Sequence, residues 1–243
     1  MKDRTAAVFF DVAGTLIRVR HGVGAQYARL AARFGVTAEP SVLEREFPRA
    51  FHAAPPMAFP GAPAEAIPGH EREVWRGIVR DVFAGAGHWT AFAPGAFDAY
   101  FEAVYRHFED AAVWEVFPDV MPALSALRAL GCSLGIVSNF DSRVLGILQG
   151  LSLAPWFASV TLSSQVGATK PDGAIFERAL ARHGAEAARA FHVGDSPVED
   201  CEGARAAGLR AILIDRGGRH VARHDLVRVV SLESLADVIR DTG

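Results

Sequence analysis

The chain has 243 residues, of which 50% are hydrophobic and 22% are charged, a composition typical of a soluble globular protein with one large domain or a core carrying an insertion. Its formal net charge of −3 offers no basic surface, which excludes nucleic acid as an expected partner. The two cysteines, Cys132 and Cys201, lack the spacing of a metal site or a disulfide framework. The stretch MKDRTAAVFFD contains neither a signal peptide nor a membrane span, so we expect a cytoplasmic protein without a membrane partner.

The first half of the chain predicts one strand followed by helices. Residues 6–12 form a short apolar run with β-branched and aromatic residues, which is typical of a buried strand. Apolar residues at helical spacing predict helices at about 24–34, 71–85 and 93–110. Residues 53–69 contain five prolines and are predicted to form a loop. No strand is predicted between about 18 and 112.

Strands and helices alternate in the second half of the chain. Further strands are predicted at 132–139, 157–164, 188–195, 210–216 and 226–231. Helices are predicted from Asp119, as a cap, to Gly131, near 142–150, and at 170–184, 199–208 and 232–241. This alternation predicts an α/β fold with a mostly parallel sheet, and such sheets bind ligands at the carboxyl ends of their strands.

Polar residues stand at the ends of three predicted strands. Asp11 ends the first strand, Ser138 ends the strand at 132–139, and Asp195 ends the strand at 188–195. Since the carboxyl ends of parallel strands lie along one edge of a sheet, we expect these side chains to form one site. The helical segment follows the first strand, so we expect it to stand above that site as a lid.

Four short motifs, in this order, resemble those of the haloacid dehalogenase (HAD) superfamily with the helical cap of its first subfamily. They are DVAGT at 11–15, SN at 138–139, KP at 170–171 and GDSPVED at 194–200. Locally, SNFDSR, KPDGAIF and HVGDSPVEDCEGARAAG are similar to the REG-2-like branch. The resemblance implies a Rossmann-like α/β core with a parallel sheet, formed by residues 1–17 and 113–243, and an inserted all-helical cap at 18–112.

The resemblance also implies a hydrolase that transfers the phosphoryl group of a small phosphorylated molecule. Asp11 corresponds to the nucleophile, which attacks phosphorus and forms an aspartyl-phosphate. Lys170, one of only two lysines in the chain, would be the second catalytic residue and would neutralise charge on Asp11 and the phosphate. The residues expected to bind the phosphate are Gly14, Thr15, Ser138 and Asn139.

A magnesium site is implied at the same strand ends. Mg²⁺ prefers oxygen ligands and usually keeps several waters. By the resemblance, its ligands would be the carboxylates of Asp11 and Asp195 and the backbone carbonyl of Ala13, which an alanine side chain leaves intact. Asp200 would share the ion or lie in its outer shell. Considered alone, Asp200 is nearly as typical of an N-cap for the helix that follows it.

Ala13 departs from the family pattern. Phosphatases of the superfamily carry an Asp here that protonates the leaving oxygen, and general acid–base help of this kind accelerates a reaction by roughly 10²–10⁴-fold. We therefore expect weak activity on ordinary monoesters, with acyl phosphates, nucleoside polyphosphates and aryl phosphates affected least. Histidines in or near the cap are formal substitutes for the missing acid: His21, His52, His70, His88 and His107.

Other functions remain open on the sequence alone. Ala13 is also compatible with a non-catalytic or regulatory protein that binds a phosphorylated ligand or a partner. A 2-haloacid dehalogenase is less favoured, because dehalogenases of the superfamily lack the metal-binding Gly194-Asp195 pair. Phosphonoacetaldehyde hydrolase also has Ala at position 13, but it needs a cap lysine that residues 18–112 do not contain. The sequence determines neither the oligomeric state nor the substrate, for which the candidate contacts are Arg18, Arg20, Tyr27, Trp75 and Arg76.

Overall fold

The computed structural model describes residues 6–242, and all structural statements refer to that range. The strands are β1 (Ala7–Phe10), β2 (Ile17–Val19), β3 (Trp114–Val116), β4 (Ser133–Ser138), β5 (Ser159–Leu162), β6 (Phe191–Gly194), β7 (Arg210–Ile214) and β8 (Val227–Val229). The helices are α1 (Val23–Ala32), α2 (Pro40–Ala53), α3 (Ile67–Gly85), α4 (Ala96–His107), α5 (Val120–Ala129), α6 (Val144–Gly150), α7 (Ser163–Val166), α8 (Gly173–His183), α9 (Gly203–Ala206) and α10 (Leu235–Thr242). A π-helical segment at Pro197–Glu202 precedes α9.

Six strands form one parallel sheet in the order β5-β4-β1-β6-β7-β8. All four residues of β1 are buried, because alternate side chains enter cores on the two faces of the sheet. Val8 and Phe10 pack with residues of α5, α6 and α10, whereas Ala7 and Phe9 pack with residues of α8 and α9. This confirms the predicted α/β fold with helices on both faces of a parallel sheet.

The chain between β2 and β3 folds into α1, α2, α3 and α4, which we call the helical insertion. These helices share a core of their own, in which Tyr27, Phe83 and Tyr100 are among the buried side chains. The domain boundaries predicted at residues 17 and 113 fall inside or beside β2 and β3, so that division stays a prediction.

One sequence prediction about the insertion was wrong, and one helix of the insertion was not predicted. A strand does occur after residue 17, because Ile17–Val19 pairs antiparallel with Trp114–Val116, a partner distant in sequence. Helix α2 was not predicted; Pro48 lies within it, and its buried face is small, with Leu43, Glu46 and Ala50. Within residues 6–242, no helix combines the length and the hydrophobicity needed to cross a bilayer.

Asp119 occupies the N-cap position of α5 as predicted, but its side chain makes no capping hydrogen bond. Its carboxylate instead accepts hydrogen bonds from both terminal nitrogens of Arg216 at 2.7 and 3.0 Å, from the Leu232 backbone N–H at 2.8 Å and from the Ser231 hydroxyl at 3.1 Å. Arg216 also donates to the carbonyl of Thr15 at 2.8 Å. The Asp119 cluster therefore ties the start of α5 to the loop that follows β1.

Candidate active site

The order of the strands brings the predicted site residues together. β1 lies between β4 and β6, so Asp11, Ser138 and Asp195 stand side by side at the carboxyl edge of the sheet. The Ser138 hydroxyl donates to Asp11 Oδ1 at 2.9 Å. No described residue donates a hydrogen bond to Asp11 Oδ2, which leaves one carboxylate oxygen open at a cavity that Asp11 lines.

Lys170 lies at the centre of this cluster and is 3% exposed. Its ammonium donates to Asp11 Oδ1 at 2.7 Å and to Asp200 Oδ1 at 2.6 Å. Burial disfavours the ammonium, but the two adjacent carboxylates outweigh burial and raise the pKa of Lys170 above its ordinary value. Burial raises the pKa of Asp11, while the positive charge of Lys170 opposes that shift. Lys170 therefore stays charged and compensates the charge that accumulates around Asp11.

The side chain of Asn139 positions the backbone of Lys170. Its Oδ1 accepts from the Lys170 N–H at 2.8 Å, and its Nδ2 donates to the Lys170 carbonyl at 3.0 Å and to Glu199 Oε2 at 3.2 Å. The amide is thereby occupied by protein groups. Asn139 would therefore bind phosphate through its backbone N–H, and that contact stays a prediction.

Asp200 anchors Lys170 from the opposite side. Its Oδ1 accepts from Lys170 and from His192 Nε2, at 2.8 Å for the histidine, and its Oδ2 accepts from the Ser196 N–H at 2.9 Å. Burial opposes ionisation, but Lys170 and the His192 hydrogen bond hold the pKa of Asp200 below its ordinary value. Ser196, whose hydroxyl accepts from the Glu199 N–H at 3.2 Å, caps the π-helical segment in place of Asp200. Both Asp200 oxygens are thus engaged by protein donors, and a direct metal contact by Asp200 stays a prediction.

Two residues of the site were missed by sequence reasoning. His192 is fully buried in β6, and burial lowers its pKa, so the neutral ring donates from Nε2 to Asp200. Glu199 is half-buried, lines the cavity and accepts from Asn139. A histidine within an otherwise apolar strand beside Asp195 was a usable signal for the first. Glu199 offered no signal beyond its place next to Asp200.

The loop after Asp11 is shaped by Gly14. Its φ of +85° favours glycine, and a Cβ at this position would lie 2.4 Å from Asp195 Oδ2. The Gly14 N–H donates to the Ile17 carbonyl at 2.8 Å, and the buried Thr15 hydroxyl has no partner among the described residues. Neither group is shown to bind phosphate, so those two contacts stay predictions. Ala13 is exposed and lines the cavity beside Asp11.

The charges at this edge fit a divalent cation. Burial and the negative charges of Asp11 and Asp200 raise the pKa of Asp195 to about 7. Lys170 is the only lysine or arginine that bonds to any of these three carboxylates in the described chain. The open oxygens of Asp11 and Asp195, together with the Ala13 carbonyl, are donors of the kind that Mg²⁺ prefers. Within residues 6–242, no three His, Cys, Asp or Glu side chains are grouped so that they could hold a metal ion by themselves, so an ion here would also need the Ala13 carbonyl and water as ligands.

A cavity of about 870 Å³ extends from this edge into the helical insertion. Its floor consists of Asp11, Ser138, Lys170, Asp195 and Asp200, which we call the floor residues. Of the predicted substrate contacts, Arg18, Arg20, Tyr27 and Trp75 line the cavity, whereas Arg76 does not and pairs with Asp98. Of the histidines considered as acids, His21 and His52 line the cavity, and His70, His88 and His107 do not.

The insertion is tied to the loop that follows β4. Glu71 accepts from the Ser142 N–H at 2.9 Å and from the Ser142 hydroxyl at 2.5 Å. The indole of Trp75 donates to Asp141 Oδ2 at 2.5 Å, and Arg143 bonds to the same carboxylate at 2.7 and 2.8 Å. We call these five residues the clasp. The clasp connects the helices of the insertion to the loop that begins with Ser138 and Asn139.

The parallel sheet carries a buried carboxylate–lysine–carboxylate cluster at its carboxyl edge, beneath helices inserted between β2 and β3, and this places the chain in the α/β class that the sequence predicts. The comparison of sequences agrees: the chain belongs to the haloacid dehalogenase-like hydrolase family, whose family model matches residues 5–208. The resemblance seen in the sequence is thereby confirmed at the level of the family.

Individual relatives and solved structures agree with this assignment. Haloacid dehalogenase-like hydrolase domain-containing protein 3 from Danio rerio is 35% identical over 231 residues, which is 95% of this chain and 93% of that protein. Phosphoserine phosphatase from Thermus thermophilus is 34% identical over 128 residues, 52% of this chain and 51% of that protein. The HAD-hydrolase YfnB from Bacillus subtilis, solved bound to magnesium, has the same fold, with a TM-score of 0.75 at 18% identity over 98% of this chain and 100% of that one.

Proposed function

We propose that the protein is a Mg²⁺-dependent phosphohydrolase or phosphotransferase that works through an aspartyl-phosphate on Asp11 and acts weakly on ordinary monoesters. The observation that carries the proposal is the arrangement of the Asp11 carboxylate. Lys170 and Ser138 hold one of its oxygens, and the other is open at the cavity floor. The similarity to a phosphoserine phosphatase and the fold shared with a magnesium-bound hydrolase support it.

In the first step, the open oxygen of Asp11 forms a bond to phosphorus while the bond between phosphorus and the leaving oxygen breaks. The leaving oxygen retains the electron pair of that bond. Lys170 offsets the negative charge that would otherwise repel a phosphate from Asp11, and Ser138 fixes the orientation of the carboxylate. Mg²⁺, held by Asp11, Asp195 and the Ala13 carbonyl, would supply further charge neutralisation.

In the second step, water attacks the phosphorus of the aspartyl-phosphate, which releases inorganic phosphate and restores the Asp11 carboxylate. The methyl group of Ala13 can neither donate a proton to the leaving oxygen nor accept one from the water. Both steps lose general acid–base help worth roughly 10²–10⁴-fold. We therefore expect a leaving group that departs without a proton to react in the first step, followed by slow dephosphorylation.

Rapid-quench kinetics with acetyl phosphate at saturating Mg²⁺ tests the proposal. We expect a burst of acetate close to one equivalent per active site, a slower steady state, and a phosphorylated protein visible by intact-mass spectrometry. Asp11→Asn should abolish the burst and the phosphorylated species, while omission of Mg²⁺ should suppress both. No product from acetyl phosphate or any other activated phosphate would refute the proposal.

A regulatory protein that binds a phosphorylated ligand is the second candidate, and the absence of a proton-transferring side chain at Ala13 favours it. Calorimetry that shows tight binding of a phosphate compound, with no turnover of activated phosphates, would establish this role instead. The presence of Asp195 at the cavity disfavours a 2-haloacid dehalogenase. Release of halide from 2-haloacids without Mg²⁺ would instead favour the dehalogenase over the phosphohydrolase.

A further inference from the structure

The part of the cavity above the floor residues is unusually rich in aromatic rings. Nine of the thirty-one residues that line the whole cavity are Phe, Tyr or Trp, although these types make up only 9% of the chain. All nine lie outside the floor, and most come from the helical insertion, including Tyr27, Phe47, Phe51, Trp75 and Tyr105. We call this region the aromatic chamber. A cavity of about 870 Å³ has room for a group much larger than the phosphate at its floor.

The charges around the chamber do not favour a second anionic group. Four lysine and arginine side chains line the cavity, and each is paired with a carboxylate. Arg18 and Arg20 pair with Glu115, Arg143 pairs with Asp141, and Lys170 pairs within the floor. Arg18 and Arg20 share the one carboxylate of Glu115, but six carboxylates line the cavity against these four cations. A polyphosphate or a bisphosphate would therefore place its additional charge in a cavity whose lining carries more carboxylates than cations. A leaving group without charge of its own fits better.

Trp75 lines the chamber, and its neighbours hold it in position. Its indole N–H is held by Asp141, which Arg143 holds in turn, and the Arg143 guanidinium lies 5.2 Å from the Trp75 ring centre. The ring of Phe47 is nearly parallel to the indole, with an interplanar angle of 9°, and Phe51 packs against the same indole. A ring fixed before the ligand arrives loses little freedom on binding, which favours stacking with a flat partner.

Ala13 also lines the cavity, two residues after Asp11. It is exposed, lines the cavity and carries no charge, so it places no carboxylate beside an apolar leaving group. Ala13 also cannot protonate the leaving oxygen, which favours a substrate whose leaving group departs without a proton. An aromatic oxide spreads its negative charge into the ring and departs without a proton, so the chemistry of the floor and the shape of the chamber favour one class of ester.

We propose that the aromatic chamber binds the leaving group and selects a planar aromatic one, so that the substrate class is the monophosphates of aromatic alcohols. This inference rests on the proposed function. Asp11 forms its bond to phosphorus as the bond between phosphorus and the aryl oxygen breaks. The aryl oxide leaves with the electron pair and takes up a proton from water after it departs. Trp75 is the specificity-determining residue, with its position set by Asp141.

Binding without turnover tests the chamber separately from the chemistry. Phenylphosphonate and cyclohexylphosphonate have similar size and charge, and neither has a P–O ester bond that the floor could cleave. Calorimetry on the wild-type protein with Mg²⁺ should show phenylphosphonate binding about tenfold or more tightly than cyclohexylphosphonate, as expected for stacking on a fixed ring. Equal affinity for the two would overturn the proposal, because the chamber would then select bulk and not planarity.

Three variants assign the effect to Trp75. Trp75→Ala should weaken phenylphosphonate about tenfold and leave cyclohexylphosphonate nearly unchanged, while Trp75→Phe, which keeps a ring but loses the N–H that Asp141 holds, should retain only part of the preference. Trp89→Ala, at an exposed position of the insertion that does not line the cavity, is the matched control and should have no effect. A loss of the preference in Trp89→Ala, or its full retention in Trp75→Ala, would remove Trp75 from this role.

Turnover then separates the two proposals. If acetyl phosphate gives a burst and 2-naphthyl phosphate has a KM that Trp75→Ala raises about tenfold, both proposals hold. If acetyl phosphate reacts but the KM for 2-naphthyl phosphate is unchanged by Trp75→Ala, the chamber proposal fails and the phosphoryl-transfer proposal stands. If the phosphonates show the aromatic preference while no phosphate reacts, the chamber binds aromatic groups but the protein is not the proposed enzyme, and this substrate class falls with it.

Discussion

The floor and the aromatic chamber of one cavity are built in opposite ways. The floor depends on a few charged atoms, such as Lys170 Nζ within 2.7 Å of both Asp11 and Asp200. The chamber is a surface of aromatic rings, to which Trp75 and eight other residues contribute. Under the proposed function, the chemistry depends on these few charged atoms, whereas binding of the leaving group depends on Trp75 and the rings around it. We expect single substitutions to have large effects at the floor and graded effects in the insertion.

The largest expected effect is a gain, from Ala13→Asp. Because Ala13 is exposed to the cavity, a carboxylate there can be accommodated without disturbing the core. It would donate a proton to the leaving oxygen and accept one from water, which is worth roughly 10²–10⁴-fold. We expect hydrolysis of alkyl monophosphates to rise by that order in a steady-state phosphate-release assay, while acetyl phosphate gains less in its first step.

The matched control is Ala13→Asn, which has nearly the same size but no titratable proton. It should leave alkyl monophosphate hydrolysis at the wild-type level. An equal gain in both variants would mean that shape at position 13, and not proton transfer, limits the reaction. No gain in Ala13→Asp would mean that the floor differs from a working phosphatase by more than one group.

Lys170→Met should produce the largest loss. Asp11 and Asp200 would then share a buried site without their common cation, and removal of one partner from a buried ion pair typically costs about 3–5 kcal/mol of stability. Turnover of acetyl phosphate should fall by about 10³-fold, because charge stabilisation at the phosphate is lost as well. Urea denaturation and rapid-quench kinetics measure the two effects.

Lys170→Arg and Arg178→Met separate charge from general damage. The first retains the positive charge and should keep more stability than Lys170→Met. The second removes an exposed cation from α8 and should change neither property. If Lys170→Met were as stable and as active as Arg178→Met, the central place of this lysine in the floor would be refuted.

Most of the floor could be predicted from the sequence because each residue there is tied to a strand end or a short motif. Parallel strands place Asp11, Ser138 and Asp195 on one edge wherever the rest of the chain goes. The partner of each side chain was harder to foresee. Asp200 bonds to Lys170 and His192 because a π-helical segment turns it towards them, and no residue pattern indicated that segment.

Only part of the chamber could be predicted: Tyr27 and Trp75 were expected as substrate contacts and line the cavity, but the contacts between distant segments that hold them there were not expected. Trp75 lines the cavity with its indole held by Asp141, which lies 66 positions further along the chain. Asp141 belongs to the stretch SNFDSR, of which sequence reasoning assigned roles only to Ser138 and Asn139. The pairing of β2 with β3 was missed for the same reason, since three residues show too short a pattern to reveal a partner elsewhere.

The clasp offers a test of intermediate size in the insertion. Glu71 is fully buried and accepts both hydrogen bonds from Ser142. Glu71→Ala would leave the Ser142 N–H without that partner, at a cost of about 1–3 kcal/mol. We expect the KM for 2-naphthyl phosphate to rise by about tenfold, because Trp75 is no longer held in its position at the cavity. The burst with acetyl phosphate should change less.

Glu73→Ala is the control for the clasp, because Glu73 is an exposed acidic residue two positions further along α3. It should leave the stability and both kinetic constants unchanged. If Glu71→Ala reduced the acetyl phosphate burst as strongly as it raised the KM for 2-naphthyl phosphate, the clasp would support the floor and the chamber alike. The expectation that the clasp affects the chamber more than the floor would then be wrong.

The smallest effect on activity is expected at Asp119. Its carboxylate accepts from Arg216, which also donates to the Thr15 carbonyl in the loop that follows β1. Burial opposes ionisation, but the hydrogen bonds from Arg216 and the Leu232 N–H hold the pKa of Asp119 below its ordinary value. A lowered folded-state pKa stabilises the protein above the unfolded value of about 3.9, and this stabilisation is lost as the pH falls below it.

Asp119→Asn should therefore lose about 1–3 kcal/mol at pH 7 in urea denaturation, and the difference from wild type should shrink as the pH approaches about 3.9 and below. The acetyl phosphate burst should change by less than about twofold in the folded variant, since Asp119 does not line the cavity. A stability difference independent of pH would show that the lost contacts, and not the charge of Asp119, carry the effect.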